Sequence, residues 1–342
     1  MGNGRWSATG WSAYARTVTA GKSKAEIFTS RGMKPDYDPS RFRLRESRDS
    51  ADNPQSTPII LASDVTGSMG MIAEKIMRDG LNTLATEIYA RRPVPDPHIM
   101  IAAVGDAECD RAPLQVTQFE ADIRVARQAR ELWLEGGGGG NRGESYSIAQ
   151  LFAALKVSAD AIERRGKKGY LFTIGDEPNL DGMTRAQIER YLGVTLERDL
   201  SAAEILQMAR KNWEVFHVVL VNEGYCRYGR DEVLATWRAL LPERTIELQS
   251  VDALTLSGNV RYSGSYFSDD DNLSASFVES YTVANTRIAY DLRDNLQLYG
   301  YVNNLFDEDA VTYMRASRAV VGGYEATLVE PRMIGIGLKM TF

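Results

Sequence analysis

Asp64, Thr66 and Ser68 stand at alternate positions in the run Asp64-Val65-Thr66-Gly67-Ser68-Met69, directly after the apolar stretch Pro58–Ser63. Alternate residues of an extended loop turn their oxygens to one side together, and Gly67 allows the tight bend this requires. Asp106 follows a second apolar stretch, His98–Gly105, and Asp176-Glu177 follows a third, Gly169–Ile174. Asn141, Glu144 and Ser145 lie at the exit of the glycine run Gly136–Gly140. Carboxylates and hydroxyls without His or Cys form a hard-oxygen donor set, suited to Mg²⁺ and less specifically to Mn²⁺ or Ca²⁺. Each residue also has a plainer reading. Asp64, Thr66 and Ser68 are good helix caps, although three oxygens exceed what one cap uses. Asp176 suits a Gly-Asp turn before Pro178, and Asp106, Glu108 and Asp110 read as a solvated acidic loop. His98 and His217 sit in apolar strand contexts and read as structural.

The elements that would carry these residues alternate. Apolar runs at Pro58–Ser63, His98–Gly105, Leu114–Phe119, Gly169–Ile174, Val215–Val221 and Thr245–Leu248 read as strands. Helical periodicity occupies Met69–Tyr89, Ala121–Trp133, Ile148–Arg165, two stretches after Asp176, and Glu232–Leu241. Continuous apolar strands alternating with helices predict an α/β fold: a doubly wound, mostly parallel sheet covered on both faces. In such sheets ligands collect at the carboxyl ends of the strands, where the acidic and hydroxyl residues stand. Residues 1–57 show little periodicity and read as an extended lead-in, which leaves 58–253 for the α/β domain.

The run Asp64-Val65-Thr66-Gly67-Ser68-Met69 resembles the first segment of the metal-ion-dependent adhesion site of von Willebrand factor A-type domains, whose pattern there is Asp-x-Ser/Thr-x-Ser. The resemblance covers about residues 55–253, and Gly166–Glu177 and Ala112–Glu120 are similar to bacterial or phage-associated members. It implies a metal held by Asp64, Thr66, Ser68 and Asp176. Ser145 stands in for the family's middle threonine, with Asn141 and Glu144 as alternatives. It also implies an open coordination position that takes an Asp or Glu from an unidentified partner protein.

Residues 254–342 follow a different grammar. They hold Tyr262, Tyr266, Tyr281, Tyr290, Tyr299, Tyr301, Tyr313 and Tyr324, half of the 16 tyrosines, with Lys339 the one lysine and no tryptophan. Leu256–Tyr266, Leu296–Asn303 and Ile334–Phe342 alternate with a period of two, which predicts an antiparallel β segment of about 3–5 strands. Asn303–Tyr313 and the closing Glu330–Phe342 resemble the final strands of TonB-dependent outer-membrane receptors, over about 255–342. So few strands cannot close a barrel, and the tail reads as a partial barrel without a transport function.

Composition narrows the classes. The 342 residues carry a net charge of −6, so no global basic field exists to hold nucleic acid. Cys109 and Cys226, outside any CxxC, read as buried thiols. The first residues lack an apolar signal-peptide core, giving a cytoplasmic expectation, whereas the tail alone points to the outer membrane. Gly138–Ser145 misses the phosphate-loop pattern because Glu144 stands where the lysine belongs. The expected function is a non-enzymatic, divalent-metal-dependent protein-interaction module. A TonB-dependent receptor fragment and a Mg²⁺-dependent phosphoester hydrolase remain as alternatives.

Overall fold

The structure is a computed structural model that describes residues 2–67, 81, 84, 88, 93–136, 143–248, 254–268, 276–293, 296–317 and 323–340. The chain divides into two compact units, Met1–Val251 and Asp252–Phe342. In the first unit the short strand β1 (Arg45–Ser47) precedes β2 (Thr57–Asp64), β3 (Pro97–Val104) and β4 (Leu114–Val116). Further along come β5 (Val157–Ala159), β6 (Gly169–Gly175), β7 (Trp213–Leu220) and β8 (Thr245–Leu248). Six of these form one sheet in the order β4-β3-β2-β6-β7-β8. All neighbours are parallel except β4, which runs antiparallel to β3 at the edge. The fold is therefore α/β with a mostly parallel sheet.

Every residue of β2 and β3 is buried, as their continuous apolar runs require. The period of two divides them between two cores. Ile60, Ala62, Met100, Ala102 and Val104 enter one core with Leu171, Val215, Trp213 and Phe152. Ile59, Leu61, Ile99, Ile101 and Ala103 enter the other. In β6 and β7 the second face is only half-buried: Tyr170, Phe172, Ile174, Phe216 and Val218 alternate with fully buried neighbours. Phe172 and Phe216 stack on that face with centroids 5.2 Å apart.

Two expectations are corrected here. Residues 1–57 are not an extended lead-in. They form a helix over Ala8–Val18, capped where Ser7 Oγ accepts from Gly10 N at 3.2 Å. A helical turn over Lys24–Ile27 follows, closed by the reciprocal Ser23–Glu26 capping box. Trp11, Tyr14, Ile27, Phe28 and Tyr37 are buried in the second core beside β2 and β3. Apolar aromatic burial, at roughly 1.5–3 kcal/mol per large side chain, orders a segment whose own periodicity is weak. The long helix read over Ile148–Arg165 is broken into Ser147–Leu155, the strand β5 and a turn over Asp160–Glu163. The cause is long-range: β5 pairs in parallel with β1, and Arg45 N donates to Lys156 O at 2.8 Å. Of the helix expected over Met69–Tyr89, only Leu81, Leu84 and Ile88 are among the described residues, and all three are helical.

In the second unit, β9 (Leu254–Ser263) is followed by the short pair β10 (Tyr266–Phe267) and β11 (Phe277–Val278). Then come β12 (Tyr281–Arg293), β13 (Leu296–Asn303), β14 (Val311–Ala316), β15 (Tyr324–Leu328) and β16 (Met333–Met340). Four long strands make an antiparallel sheet in the order β16-β13-β12-β9, and β10–β11 and β14–β15 form separate antiparallel pairs. Register puts Ile334 opposite Val302, Ile336 opposite Gly300 and Leu338 opposite Leu298. On β16 these three side chains are 75%, 81% and 65% exposed, so one sheet face presents an apolar row to solvent. No helix among the described residues is long and apolar enough to cross a membrane.

Candidate metal centre

The chain leaves β2 toward β3 on one side and later enters β6 on the other, so the order reverses between β2 and β6. The carboxyl ends of these strands open a crevice there, where α/β sheets gather ligands. Asp64 is the last residue of β2 and Asp176 immediately follows β6. Both are buried, at 0% and 1% exposure. Thr66 lies two residues beyond Asp64, past which Gly67 takes the positive φ of 35° that favours glycine.

Hydrogen bonds tie the centre together. Asp64 Oδ1 accepts from Thr66 N and from Thr66 Oγ1, both at 2.7 Å. Thr66 Oγ1 also lies 2.9 Å from Glu144 Oε1. A hydroxyl has a single proton to give, so it serves one of these two carboxylates at a time unless the other is itself protonated. Asp64 Oδ2 accepts from the Tyr146 hydroxyl at 3.3 Å. Asp176 Oδ2 accepts from Tyr225 N. Two oxygens in this group, Glu144 Oε2 and Asp176 Oδ1, are buried without a hydrogen-bond partner among the described residues.

Glu144 reaches Thr66 because its backbone is pinned. Glu144 N donates to Pro178 O and Leu180 N donates to Glu144 O, both at 3.0 Å, which joins it to the loop after Asp176. Asn179 in that loop accepts from Ser147 N at 3.0 Å and donates to Ser147 Oγ at 2.8 Å, seating the start of the following helix. Tyr146 is fully buried and packs edge-on against His217 and Trp237, with centroids 5.0 Å and 5.4 Å away. A methyl at Gly175 would fall on the Tyr146 hydroxyl, so only glycine lets this ring reach Asp64.

The electrostatics follow mainly from burial, which hydrogen bonds to Asp64 and Asp176 and the charge of Arg227 on Asp176 offset only in part. Removal from water pushes Asp64 well above the ordinary carboxylate range, and the charges of Asp176 and Glu177 add to this against the Thr66 hydrogen bonds. Burial raises Glu144 in the same direction, reinforced by Asp64. Asp176 is raised mainly by burial, and Glu177 is pushed up to about 7 by burial and then by Asp176. No lysine or arginine among the described residues makes a hydrogen bond to Asp64, Glu144 or Asp176; their donors are hydroxyls and backbone N–H groups. A buried group of carboxylates in this state either takes up protons or takes up a cation. Its two unpartnered oxygens and its oxygen-only chemistry fit a hard divalent ion.

The candidate ligands are placed as follows. Asp64, Thr66 and Glu144 are joined by hydrogen bonds, and Asp176 is coupled to Asp64 through its charge. Ser145 is buried but faces elsewhere: its Oγ accepts from Ala107 N at 2.9 Å and donates toward Asp106 Oδ1 at 3.4 Å. Ser68 and Asn141 lie outside the described residues. No group of three or more His, Cys, Asp or Glu among the described residues is drawn together as a finished ligand set, so hydroxyls and water would have to complete any coordination shell. The sequence signal for Glu144 was its position at the exit of the glycine run. What it lacked was the pairing with residues 178–180.

Three further readings are settled. Of the acidic loop Asp106, Glu108 and Asp110, only Glu108 is exposed; Asp106 and Asp110 are buried, at 2% and 8%, and Asp110 Oδ2 accepts from Asp106 N at 2.8 Å. Cys226 is buried but Cys109 is exposed, because it sits at the tip of that turn. His217 is fully buried, stacked on Trp237 at 3.4 Å between centroids, with Nδ1 2.8 Å from Thr173 Oγ1.

No known protein-family profile matches the chain. Solved structures similar to it include the pilus adhesin SpaC from Lactobacillus rhamnosus GG in two crystal structures. The first, an open conformation, is 9% identical over 87% of this chain and 53% of SpaC, with a TM-score of 0.38. The second is 10% identical over 86% and 45%, with a TM-score of 0.39. Another is the open form of the ferric-catecholate import receptor Fiu from E. coli K12, 30% identical over 27% of this chain and 14% of Fiu, with a TM-score of 0.23. The chain thus spans about half of SpaC and a small part of Fiu.

Proposed function

We propose that the unit Met1–Val251 is a divalent-cation-dependent protein-recognition module with its cation at the β2–β6 crevice. The observation that carries this reading is the pair of buried oxygens without a hydrogen-bond partner among the described residues, Glu144 Oε2 and Asp176 Oδ1, in a carboxylate group that no described Lys or Arg hydrogen-bonds. Asp64, Thr66 and Asp176 would hold the ion, joined on the sequence pattern by Ser68, while Ser145, turned to Ala107 and Asp106, would not. Mg²⁺ is the first choice, with Mn²⁺ or Ca²⁺ as substitutes. When bound, the ion supplies a coordination position that a partner's Asp or Glu can fill through a strong charge-assisted contact. Tyr146 orients Asp64, and the loop of residues 178–180 orients Glu144.

Binding is favoured over hydrolysis by the surroundings of the one nearby imidazole. His217 is sealed in the core, and burial holds its pKa well below the usual value, so it is no base for an incoming substrate. In the second unit the four long strands form an open sheet among the described residues, with β9 and β16 at its edges.

Calorimetric titration of the full chain with MgCl₂ tests the module. The wild type is expected to bind one ion and Asp64→Ala none, with its far-UV circular dichroism unchanged. Equal affinity in the two proteins refutes the assignment. Turnover of a generic phosphoester with Mg²⁺, lost in the variant, would favour the hydrolase instead.

A further inference from the structure

We propose that the second unit binds a short zwitterionic peptide in a cleft of its own, with the peptide's carboxylate on Arg261 and its amino group on Glu330. The cleft has a volume of about 590 Å³, within the range of small-molecule sites. Arg261, Tyr281 and Asn303 line it from the four-stranded sheet, and Thr312, Leu328 and Glu330 line it from the β14–β15 pair and the residues just after it. Both charged walls are held in place. Asn304, at a positive φ of 52°, donates from its side-chain amide to Glu308 O at 2.9 Å and to Glu330 O at 3.0 Å, and its backbone N–H donates to Asn285 Oδ1 at 2.8 Å. Val329 N donates to Ala310 O at 2.8 Å. The backbone at residue 330 is thereby tied to the turn that follows β13. Opposite it, Arg261 donates to the hydroxyl of the buried Tyr281 at 3.4 Å, with its guanidinium 5.7 Å from the ring centroid. A guanidinium has five N–H groups, so this contact leaves most of them to give.

The charges on the lining select the ligand. Elsewhere in this unit Arg315 pairs with Glu325 and Arg332 with Asp307. Arg261 and Glu330 share one cleft, yet they form no ion pair with each other or with any other described residue. Glu330 repels a plain anion and Arg261 repels a plain cation, whereas a molecule with both charges gains a charge-assisted contact at each end. The other lining groups named are neutral: an amide, a phenol, a hydroxyl and an aliphatic side chain. The Asn303 amide can both donate to and accept from a peptide group, and Leu328 offers a small apolar surface. Two extended residues span at most about 7 Å, which separates the terminal charges of a dipeptide and lets it bridge two side chains that do not meet directly. The site stands apart from the cation centre, since every lining residue belongs to the second unit.

The test is calorimetric titration of the full chain with L-alanyl-L-alanine, with its N-acetylated form and with its C-amidated form. The wild type is expected to bind the free dipeptide, and each cap to weaken binding about tenfold or more, the worth of one charge-assisted hydrogen bond. Arg261→Gln and Glu330→Gln are each expected to lose a similar factor for the free dipeptide, with far-UV circular dichroism unchanged because both side chains are exposed. Amidation then makes no further difference in Arg261→Gln, nor acetylation in Glu330→Gln, as a pairwise coupling requires. The capped peptides test the wild type alone, so the proposal stays open to refutation should a variant fold poorly. It is overturned if the wild type does not bind the free dipeptide, or if either capped form binds as tightly as the free one. Variants that bind the free dipeptide like the wild type overturn it as well.

Discussion

Asp64→Asn separates the cost of the buried charge from the gain of the cation. Asparagine keeps the shape of the side chain, and its carbonyl still accepts from Thr66 N and Oγ1, each 2.7 Å from Asp64 Oδ1. Its amide replaces the oxygen that faces the Tyr146 hydroxyl, which can turn to accept. What is lost is the charge, at a site of 0% exposure that also feels Asp176 and Glu177. Ionising a fully buried carboxyl costs roughly 4–7 kcal/mol, and the Thr66 hydrogen bonds return part of it. A net gain of about 2–4 kcal/mol is expected for the metal-free variant at pH 8, or about 4–16 °C in Tm for a unit of this size.

The sign with pH follows from linkage. The carboxyl is raised in the folded state, so the fold holds a proton that the unfolded chain has released. Stability of the metal-free wild type is full below the ordinary carboxylate value of 3.8 and is lost as pH rises from there through neutrality. Wild type and variant therefore converge toward pH 4 and part by pH 8. Saturating Mg²⁺ reverses their order at pH 8. At a hundred times Kd, the wild type gains about 2.7 kcal/mol and the variant gains nothing. Differential scanning fluorimetry in chelator and in MgCl₂, at both pH values, reads all four states. A metal-free variant less stable than the metal-free wild type at pH 8, or a wild type indifferent to chelator, refutes the reasoning.

Gly175→Ala forces a methyl onto the buried Tyr146 ring; overpacking of this kind is expected to cost about 1–3 kcal/mol in urea unfolding and to weaken Mg²⁺ binding through Asp64. A variant with unchanged stability and affinity would show that Tyr146 does not orient the centre. Ile336→Lys alters a side chain that is 81% exposed on the edge strand β16; stability is expected to stay within about 0.5 kcal/mol, while light scattering falls because a lysine blocks edge pairing. A large loss of stability would mean that the apolar row is packed in solution.

The strands were legible because burial on both faces writes itself as an uninterrupted apolar run. Pro58–Ser63, Gly169–Ile174 and Thr245–Leu248 lie within or coincide with β2, β6 and β8. Asp64 and Asp176 were legible for the related reason that a charged residue closes each of two such runs. The break at Lys156 was not, since Ile148–Arg165 keeps helical spacing and only pairing with Arg45–Ser47 interrupts it. The N-terminal helix was missed because it packs with a few scattered aromatics, Trp11 and Tyr14 among them, and carries no long stripe.

By itself, the order of residues determined that a parallel sheet forms and that acidic and hydroxyl groups line its carboxyl edge, because both depend on local periodicity and on where apolar runs stop. Which of Glu144 and Ser145 meets Thr66 was decided only in three dimensions. Ser145 turns to Asp106 and Ala107, while Glu144 is held by residues 178–180, more than thirty positions along the chain. Side chains next to each other in a loop share nearly the same local pattern. It is the backbone pairing with a distant segment that sets which of them faces the crevice.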